Sequence, residues 1–234
     1  MIEKFSTEKI SRGNVILTHG LNLNPEKLKE LALWFNDVGF DVYLLRYSGH
    51  RPNEDAGEFS FESSMNLLKN LIDELKGDYI YCAFSLGCLV YAKAIRENLI
   101  PEAKKNIFLS PVFKPTKFIQ ISGLIPFNIS IPSLLYKDYQ IHRSLPSKIY
   151  RSILNESISI ENLPFKNDTF VFIDKWDLAL DVKAILPLIS SYQLKYFETR
   201  KTQAPKHLLV DSHSVGEDHW EDFLQTIKTF LSKL

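Results

Sequence analysis

The feature that most constrains this chain is a regular alternation between short apolar runs and longer amphipathic segments. The runs are rich in β-branched and aromatic residues, and they predict buried strands at 14–19, 40–46, 78–83, 106–110, 169–173 and 206–210. Apolar residues at helical spacing predict helices at 25–37, 63–75, 86–97, 182–191 and 221–234. Strands that are apolar on both faces need helices on both sides of their sheet. The sequence therefore predicts an α/β fold with a doubly wound, mostly parallel sheet.

One stretch interrupts this alternation between the fourth and fifth predicted strands. Residues 112–164, which we call the inserted segment, carry prolines among many aromatic residues and isoleucines. A loop of this length inside a compact domain usually has a function. We expect a core domain formed by 1–111 and 165–234, with the inserted segment as a cap or lid. Its apolar side chains suit a roof over a site, and equally suit burial of the cap against the core.

Composition argues against several classes of partner. Lys and Arg total 28, as do Asp and Glu, so the formal net charge is zero and favours no binding to nucleic acid. No run of about 18 apolar residues occurs, and the N-terminus lacks the apolar stretch of a secretory signal. We therefore expect no stable membrane insertion and a cytoplasmic protein. The spacing of Cys82 and Cys88 fits no metal site.

The segment 83–87, Ala-Phe-Ser-Leu-Gly, lies between the third predicted strand and the helix that follows it. A serine exposed on such a sharp turn needs small residues two positions before and two positions after it. Ala83 and Gly87 satisfy this requirement. The hydroxyl of Ser85 would then stand at the N-terminus of a helix, where negative charge is stabilised. The alternative is an ordinary serine in a β-to-α turn, but the context favours Ser85 as a nucleophile.

A serine nucleophile needs a base, and the base needs an acid that orients it. Asp174 and Asp177 follow the fifth predicted strand, and we favour Asp177 because it extends toward the histidine loop, whereas Asp174 suits the turn itself. His213 and His219 compete as the base. We favour His213 because it directly follows the last predicted strand, while His219 falls in the first helical turn behind an N-cap expected at Asp218.

Backbone N–H groups should stabilise the negative charge that develops on the substrate oxygen. One donor is expected from Leu86, directly after the serine, and the other from Leu21, beside a glycine, Gly20, that permits close approach. His19, at the strand end, is expected to hold this loop through hydrogen bonds. Substrate contacts are expected from four residues around the serine: His19, Gly20, Phe84 and Phe113.

Taken together, these segments resemble the α/β-hydrolase family. Segment 15–21 looks like the strand and His-Gly oxyanion segment of that family, and 46–52 looks like its D-x-x-G-H-G-x-S loop, changed at several positions. The Ser85 turn, the segment around Asp177 and the placement of His213 before the C-terminal helix complete the match. The resemblance covers nearly the whole chain except the cap.

This resemblance implies hydrolysis of an ester, thioester or amide through an acyl-enzyme, without a metal or an organic cofactor. The apolar cap looks similar to those of monoacylglycerol lipases and lysophospholipases, so we expect a small-molecule ester with an apolar acyl part. A small-ester carboxylesterase and an acyl-thioesterase are alternatives, and a non-catalytic ligand-binding module is an alternative from another class. The complete serine, acid and histidine in chain order favour an enzyme. The family usually has glycine at the position of Ala83, and this difference affects the expected substrate class more than the expected fold.

Overall fold

The computed structural model describes residues 1–50, 54–55, 58–75, 77–117, 120–121, 129–130, 141–142, 144–174, 177, 179–197 and 210–232. Its strands are β1 (Ile2–Phe5), β2 (Asn14–Thr18), β3 (Asp41–Leu45), β4 (Tyr79–Phe84), β5 (Lys105–Leu109), β6 (Ile129–Ser130), β7 (Ser144–Leu145), β8 (Asp168–Asp174) and β9 (Gln193–Phe197). Seven of them form one sheet in the order β1-β3-β2-β4-β5-β8-β9. Every neighbouring pair is parallel except β1 and β3.

Helices cover both faces of this sheet. A 3-10 turn (Pro25–Leu28) leads into α1 (Lys29–Asp37), and the other helices are α2 (Phe61–Leu75), α3 (Leu86–Arg96), α4 (Ser147–Ile158), α5 (Val182–Ile189), α6 (Ser212–Val215) and α7 (Glu217–Leu231). Side chains alternate across each strand, so Ile16 packs toward α2, α3, α4 and α5, while Val15 and Leu17 pack toward α1 and α7. The predicted doubly wound, mostly parallel α/β fold is confirmed.

The sheet changes winding direction between β2 and β4. The chain runs from β2 through α1 to β3, and then through α2 to β4 on the opposite face. β4 therefore pairs with the free side of β2, with Thr18 level with Ala83. In open α/β sheets, ligands bind in the crevice at the carboxyl ends of the strands that flank such a switch point.

Two strands were missed by the sequence reading. Among the described residues, β1 is paired with β3 and β9 with β8 at the two ends of the sheet, and both are partly exposed and lack the continuous apolar run of a central strand. The predicted strand at 206–210 lies outside the described residues except for Val210, which is buried.

The start of the last helix also corrects the sequence reading. The helix begins at Glu217, four residues before the predicted start, and its N-cap is Gly216 rather than Asp218. The backbone at Gly216 has a φ of 95°, in a region that a residue without a Cβ adopts at little cost. The chain therefore turns into the helix at the glycine, and Asp218 falls inside the first turn.

The inserted segment contains the small antiparallel pair β6–β7 and the helix α4. Ile149 and Ile153 of α4 belong to the same core cluster as α3. Glu156 of α4 also forms ion pairs with Lys93 and Arg96 of α3, at 2.8 and 3.1 Å. The C-terminal part of this segment is thus fastened to the sheet-covering layer, and the division into core and cap remains a prediction.

Candidate active site

Ser85 lies on a strained turn between β4 and α3. Its backbone has φ 51° and ψ −109°, a conformation that residues with a Cβ rarely adopt and that costs about 1–3 kcal/mol. The Ser85 N–H donates to the carbonyl of Leu109 on β5 at 2.9 Å, and its own carbonyl accepts from the N–H of Cys88 at 3.2 Å. Its side chain does not cap the helix. We call residues 83–87 the Ser85 elbow.

The glycine at the end of the elbow is required by close packing. A Cβ added to Gly87 would collide with Oγ1 of Thr18 and would lie 3.1 Å from the carbonyl oxygen of His19. Beneath it, Thr18 Oγ1 lies 3.0 Å from the hydroxyl of Tyr81, which donates to the carbonyl of Gly87 at 3.2 Å. These contacts press the first turn of α3 against the end of β2, which is why a side chain is not tolerated here.

The loop that follows β2, residues 19–23, packs directly on the elbow, and we call it the His19 loop. A Cβ built on Gly20 would lie 3.0 Å from Cβ of Ser85 and 2.7 Å from two ring carbons of Phe84. The absence of a side chain at Gly20 therefore lets this backbone approach the serine. Leu21 is next in this loop, and Leu86, directly after the serine, begins α3. Both predicted oxyanion donors thus belong to segments that flank Ser85.

His19 fixes the His19 loop from inside the protein. Its ring is fully buried; Nδ1 lies 2.9 Å from the carbonyl of Gly20, and Nε2 accepts the backbone N–H of Tyr47 at 3.1 Å. A carbonyl can only accept, so Nδ1 carries the proton and the imidazole is neutral. Burial lowers the pKa of His19 well below its ordinary value, in agreement with this state. The predicted loop-holding role is confirmed, and both ring nitrogens are occupied by the protein backbone.

His50 performs a similar task from the loop after β3. Its Nε2 accepts the backbone N–H of Asn22 at 3.1 Å, its Nδ1 donates to the carbonyl of Ser48 at 3.1 Å, and its ring centroid lies 4.5 Å from that of His19. Burial lowers the pKa of His50 to about 4, so this ring is neutral as well. Because His50 and Asn22 are 28 positions apart, no sequence pattern indicated that they support the loop beside Ser85.

The two candidate acids lie at the carboxyl end of β8, with Asp174 as its last residue and Asp177 shortly after it. Asp174 is fully buried at the strand end, and its carbonyl accepts the N–H of Asp177 at 3.2 Å. Asp177 is also buried, and one of its carboxylate oxygens accepts the N–H groups of Ala179 and Leu180 at 2.8 and 2.9 Å. These donors fix the orientation of the Asp177 carboxylate. Leu109 of β5 is paired with Phe172 of β8. The end of β8 therefore lies beside Leu109, whose carbonyl accepts the Ser85 N–H.

The two candidate bases lie in different helices near the C-terminus. His213 lies in the short helix α6, and its side chain is outside the described residues. This helix is anchored by Ser214, whose Oγ accepts the N–H groups of Val210 and Asp211 at 3.1 Å each and whose N–H donates to the Asp211 carboxylate at 2.8 Å. His219 lies in the first turn of α7, as predicted, and is exposed.

The two aromatic residues expected to contact substrate are packed in the core. Phe84 is 2% exposed and Phe113 is fully buried. The ring of Phe113 packs edge-on against Phe108 with centroids 5.9 Å apart. Phe84 belongs to the core layer that contains α1, and Phe113 belongs to the layer that contains α3.

Two further observations concern metals and membranes. Among the described residues, no three His, Cys, Asp or Glu side chains are grouped so that they could hold a metal ion. In the part of the chain that the structure describes, no helix combines the length and apolarity needed to cross a membrane.

No protein-family model and no curated protein matches this chain. Solved structures do match it over nearly its full length. A monoacylglycerol lipase from Paleococcus ferrophilus is 19% identical with a TM-score of 0.78, covering 99% of this chain and 98% of that one. Mouse alpha/beta hydrolase domain-containing protein 10 is 15% identical with a TM-score of 0.67, covering 99% and 93%. The chain has the α/β-hydrolase fold.

A third structure with this fold is Est1E from Butyrivibrio proteoclasticus with ferulic acid bound. It is 15% identical with a TM-score of 0.69, and the match covers 100% of this chain and 94% of that one. These identities are low, so the likeness establishes the α/β-hydrolase fold and leaves the chemistry to be argued from the residues of this chain.

Proposed function

We propose that this protein is a serine hydrolase that cleaves a carboxylic ester with an apolar acyl part through an acyl-enzyme at Ser85. The observation that carries the proposal is the backbone of Ser85, strained at φ 51° and ψ −109° at the end of β4. A serine in an ordinary β-to-α turn has no need of this conformation, whereas a nucleophile uses it to present its hydroxyl above the sheet. Gly20, packed against Cβ of the same serine, supports an oxyanion site beside it.

In the proposed reaction, Oγ of Ser85 attacks the ester carbonyl carbon while His213 accepts the serine proton. Asp177 orients the imidazole and stabilises its positive charge. The N–H groups of Leu21 and Leu86 stabilise the oxyanion of the tetrahedral intermediate. The intermediate then expels the alcohol, which takes the proton from His213 and leaves the acyl group on Ser85. A water molecule, deprotonated by the same histidine, releases the carboxylic acid and restores the enzyme.

Two kinds of acyl group are suggested by proteins with the same fold. One matched structure is a monoacylglycerol lipase, and another, Est1E, has ferulic acid bound. The aromatic and aliphatic residues of the inserted segment favour an apolar acyl part in this chain. Hydrolysis rates for p-nitrophenyl esters of rising chain length test this proposal, and a steep preference for the acetyl ester would contradict it. A matched acyl thioester, assayed beside the oxygen ester, tests the thioesterase alternative.

Labelling with a fluorophosphonate probe tests the enzyme itself. We expect the native protein to be labelled and Ser85→Ala to remain unlabelled, because the probe phosphonylates an activated serine. An unlabelled native protein, or equal labelling of the variant, would favour a non-catalytic ligand-binding module.

In the same assay, His213→Ala should reduce the labelling rate by at least about a thousandfold, whereas His219→Ala should retain most of it. The reverse pattern would assign the base to His219.

A further inference from the structure

Asn22 joins the His19 loop to residues 141 and 142 in the middle of the inserted segment. Its side-chain Nδ2 donates to the carbonyl of His142 at 2.8 Å, and its Oδ1 accepts the N–H of the same residue at 2.8 Å. The backbone carbonyl of Asn22 accepts the N–H of Ile141 at 3.1 Å. The side chain of Asn22 thus pairs with the backbone of His142 as a neighbouring strand would, across 120 positions of sequence.

The remaining polar group of Asn22, its N–H, donates to Nε2 of His50 at 3.1 Å. The inserted segment contacts the same region a second time, because Nε2 of His142 donates to the carbonyl of Gly49 at 2.8 Å. The His19 loop, the loop after β3 and the inserted segment therefore form one closed hydrogen-bonded unit. Asn22 stands at its centre, 3% exposed and with a φ of 56°.

This position matters because Leu21 lies between two fixed residues. On one side, Gly20 packs against Ser85 and Phe84 without room for a Cβ. On the other side, Asn22 is held by contacts with distant parts of the chain. Inside the loop, the backbone bond from the N–H of Leu23 to the carbonyl of Gly20 is long, at 3.3 Å. The direction of the Leu21 N–H is therefore set by its two neighbours, and the Asn22 end depends on the inserted segment.

We propose that Asn22 is a positioning residue that couples the inserted segment at Ile141 and His142 to the oxyanion donor at Leu21. Stabilisation of the transition state then depends on the seating of that segment. This inference rests on the proposed hydrolase function. A merely structural Asn22 would fasten the segment without affecting the reaction, so its removal would lower stability and leave kcat of the folded protein unchanged.

Two substitutions separate these roles while keeping the backbone conformation. Aspartate and glycine both tolerate the left-handed φ of position 22. Asn22→Asp keeps an acceptor for the His142 N–H but loses the donor to the His142 carbonyl, and Asn22→Gly loses both. We expect kcat for the best p-nitrophenyl ester to fall about ten- to hundredfold in both variants, with KM changed less than about threefold. Each rate is taken per folded molecule, with folding checked by circular dichroism.

A transition-state mimic and a matched control sharpen the test. A trifluoromethyl ketone forms a tetrahedral adduct with the serine, and the affinity for it should fall by the same factor as kcat. The affinity for the carboxylic acid product should not fall. Asn24→Gly is the control: it has the same residue type near this loop, and its side chain caps the 3-10 turn by accepting the Glu26 N–H at 3.1 Å. This control should keep kcat within about twofold.

The outcomes are distinct. The coupling is supported if kcat and the affinity for the ketone fall together in the Asn22 variants and neither falls in Asn24→Gly. Unchanged kcat with a lower melting temperature, or an equal loss of kcat in Asn24→Gly, overturns it while the hydrolase function stands. If Asn22→Gly does not fold, Asn22→Asp decides alone. A native protein without turnover that depends on Ser85 overturns the proposed function, and the positioning role with it.

Discussion

The two segments that meet at Ser85 are held by different kinds of force. The Ser85 elbow is fixed by sterics: Gly87 packs against Thr18 and the His19 carbonyl, and β4 is paired on both sides. The His19 loop is fixed by hydrogen bonds to residues 28 and 120 positions away. The comparison shows that the nucleophile depends on its nearest neighbours in the sheet, whereas the predicted oxyanion donor depends on remote parts of the fold.

This difference also determines how each segment responds to change. Steric contacts between uncharged groups are insensitive to pH, but an added atom turns them into clashes that force the neighbouring groups apart. Hydrogen bonds that end on neutral histidines are lost when those rings gain a proton. Substitutions at two glycines and a titration at one histidine can therefore test the comparison.

The largest effect is expected for Gly87→Ala at the elbow. The added Cβ would collide with Oγ1 of Thr18 and crowd the His19 carbonyl, so the first turn of α3 must shift away from β2. We expect the free energy of unfolding to fall by about 3 kcal/mol and esterase activity to be lost. Urea unfolding and ester hydrolysis measure both. Near-native stability would show that the elbow is not fixed by this contact.

The same substitution at Gly20 should act mainly on activity. Its Cβ would meet the ring of Phe84, which can shift, and Cβ of Ser85 at 3.0 Å. We expect the His19 loop to move away from the serine and kcat to fall about a hundredfold, equivalent to about 2.7 kcal/mol. Unfolding should be affected less than in Gly87→Ala. If Gly20→Ala instead lost stability and kept kcat, the two segments would not differ as we describe.

The smallest effect is expected from pH and tests the histidines. Because burial lowers the pKa of His50 from the ordinary 6.5 to about 4, its unfolded form takes up a proton first as pH falls. The stabilisation is complete above pH 6.5 and is lost as pH falls toward 4. From pH 7 to pH 5, His50 should account for a loss of roughly 2 kcal/mol in the free energy of unfolding.

His50→Gln should remove this part of the pH dependence. The substitution lowers stability at pH 7, and the gap between native protein and variant should narrow by roughly 2 kcal/mol at pH 5 in urea unfolding. The ring lies against His19, Tyr47 and Phe59, and His142 is also near enough to lower its pKa. His19 is present in both proteins, but its charge interacts with that of His50, so the change in the gap includes this coupling. A constant gap would mean that the pKa of His50 is the same in the folded and in the unfolded protein.

The sequence was sufficient for the central sheet and for the Ser85 elbow, because both depend on local patterns. Five apolar runs became β2, β3, β4, β5 and β8, and the pentapeptide around Ser85 lies on the predicted strand-to-helix turn. Cys82 and Cys88 are buried and form no disulfide, as their apolar surroundings indicated. These features depend on hydrophobic periodicity and on side-chain size within a few residues.

What the sequence could not reveal depends on pairing at a distance. Within the described part of the sheet, β1 and β9 are the outermost strands and have no continuous apolar run, so their pairing with β3 and β8 is what identifies them. Asn22 presents an even harder case. Asparagine is common in turns, so the sequence predicts only a turn at this position. Its bonds to His50 and His142 follow from the assembled fold and leave no local pattern.

The bonds between Asn22 and residues 141–142 have a consequence for engineering. One design would exchange the inserted segment for a foreign one in order to change the substrate preference. In this chain, a transplanted insertion without an equivalent of the Ile141–His142 backbone would orphan the amide and the carbonyl of Asn22. Each buried polar group left without a partner costs about 1–3 kcal/mol. A successful graft must therefore keep the inserted segment native from Ile141 onward and join the foreign sequence before that residue.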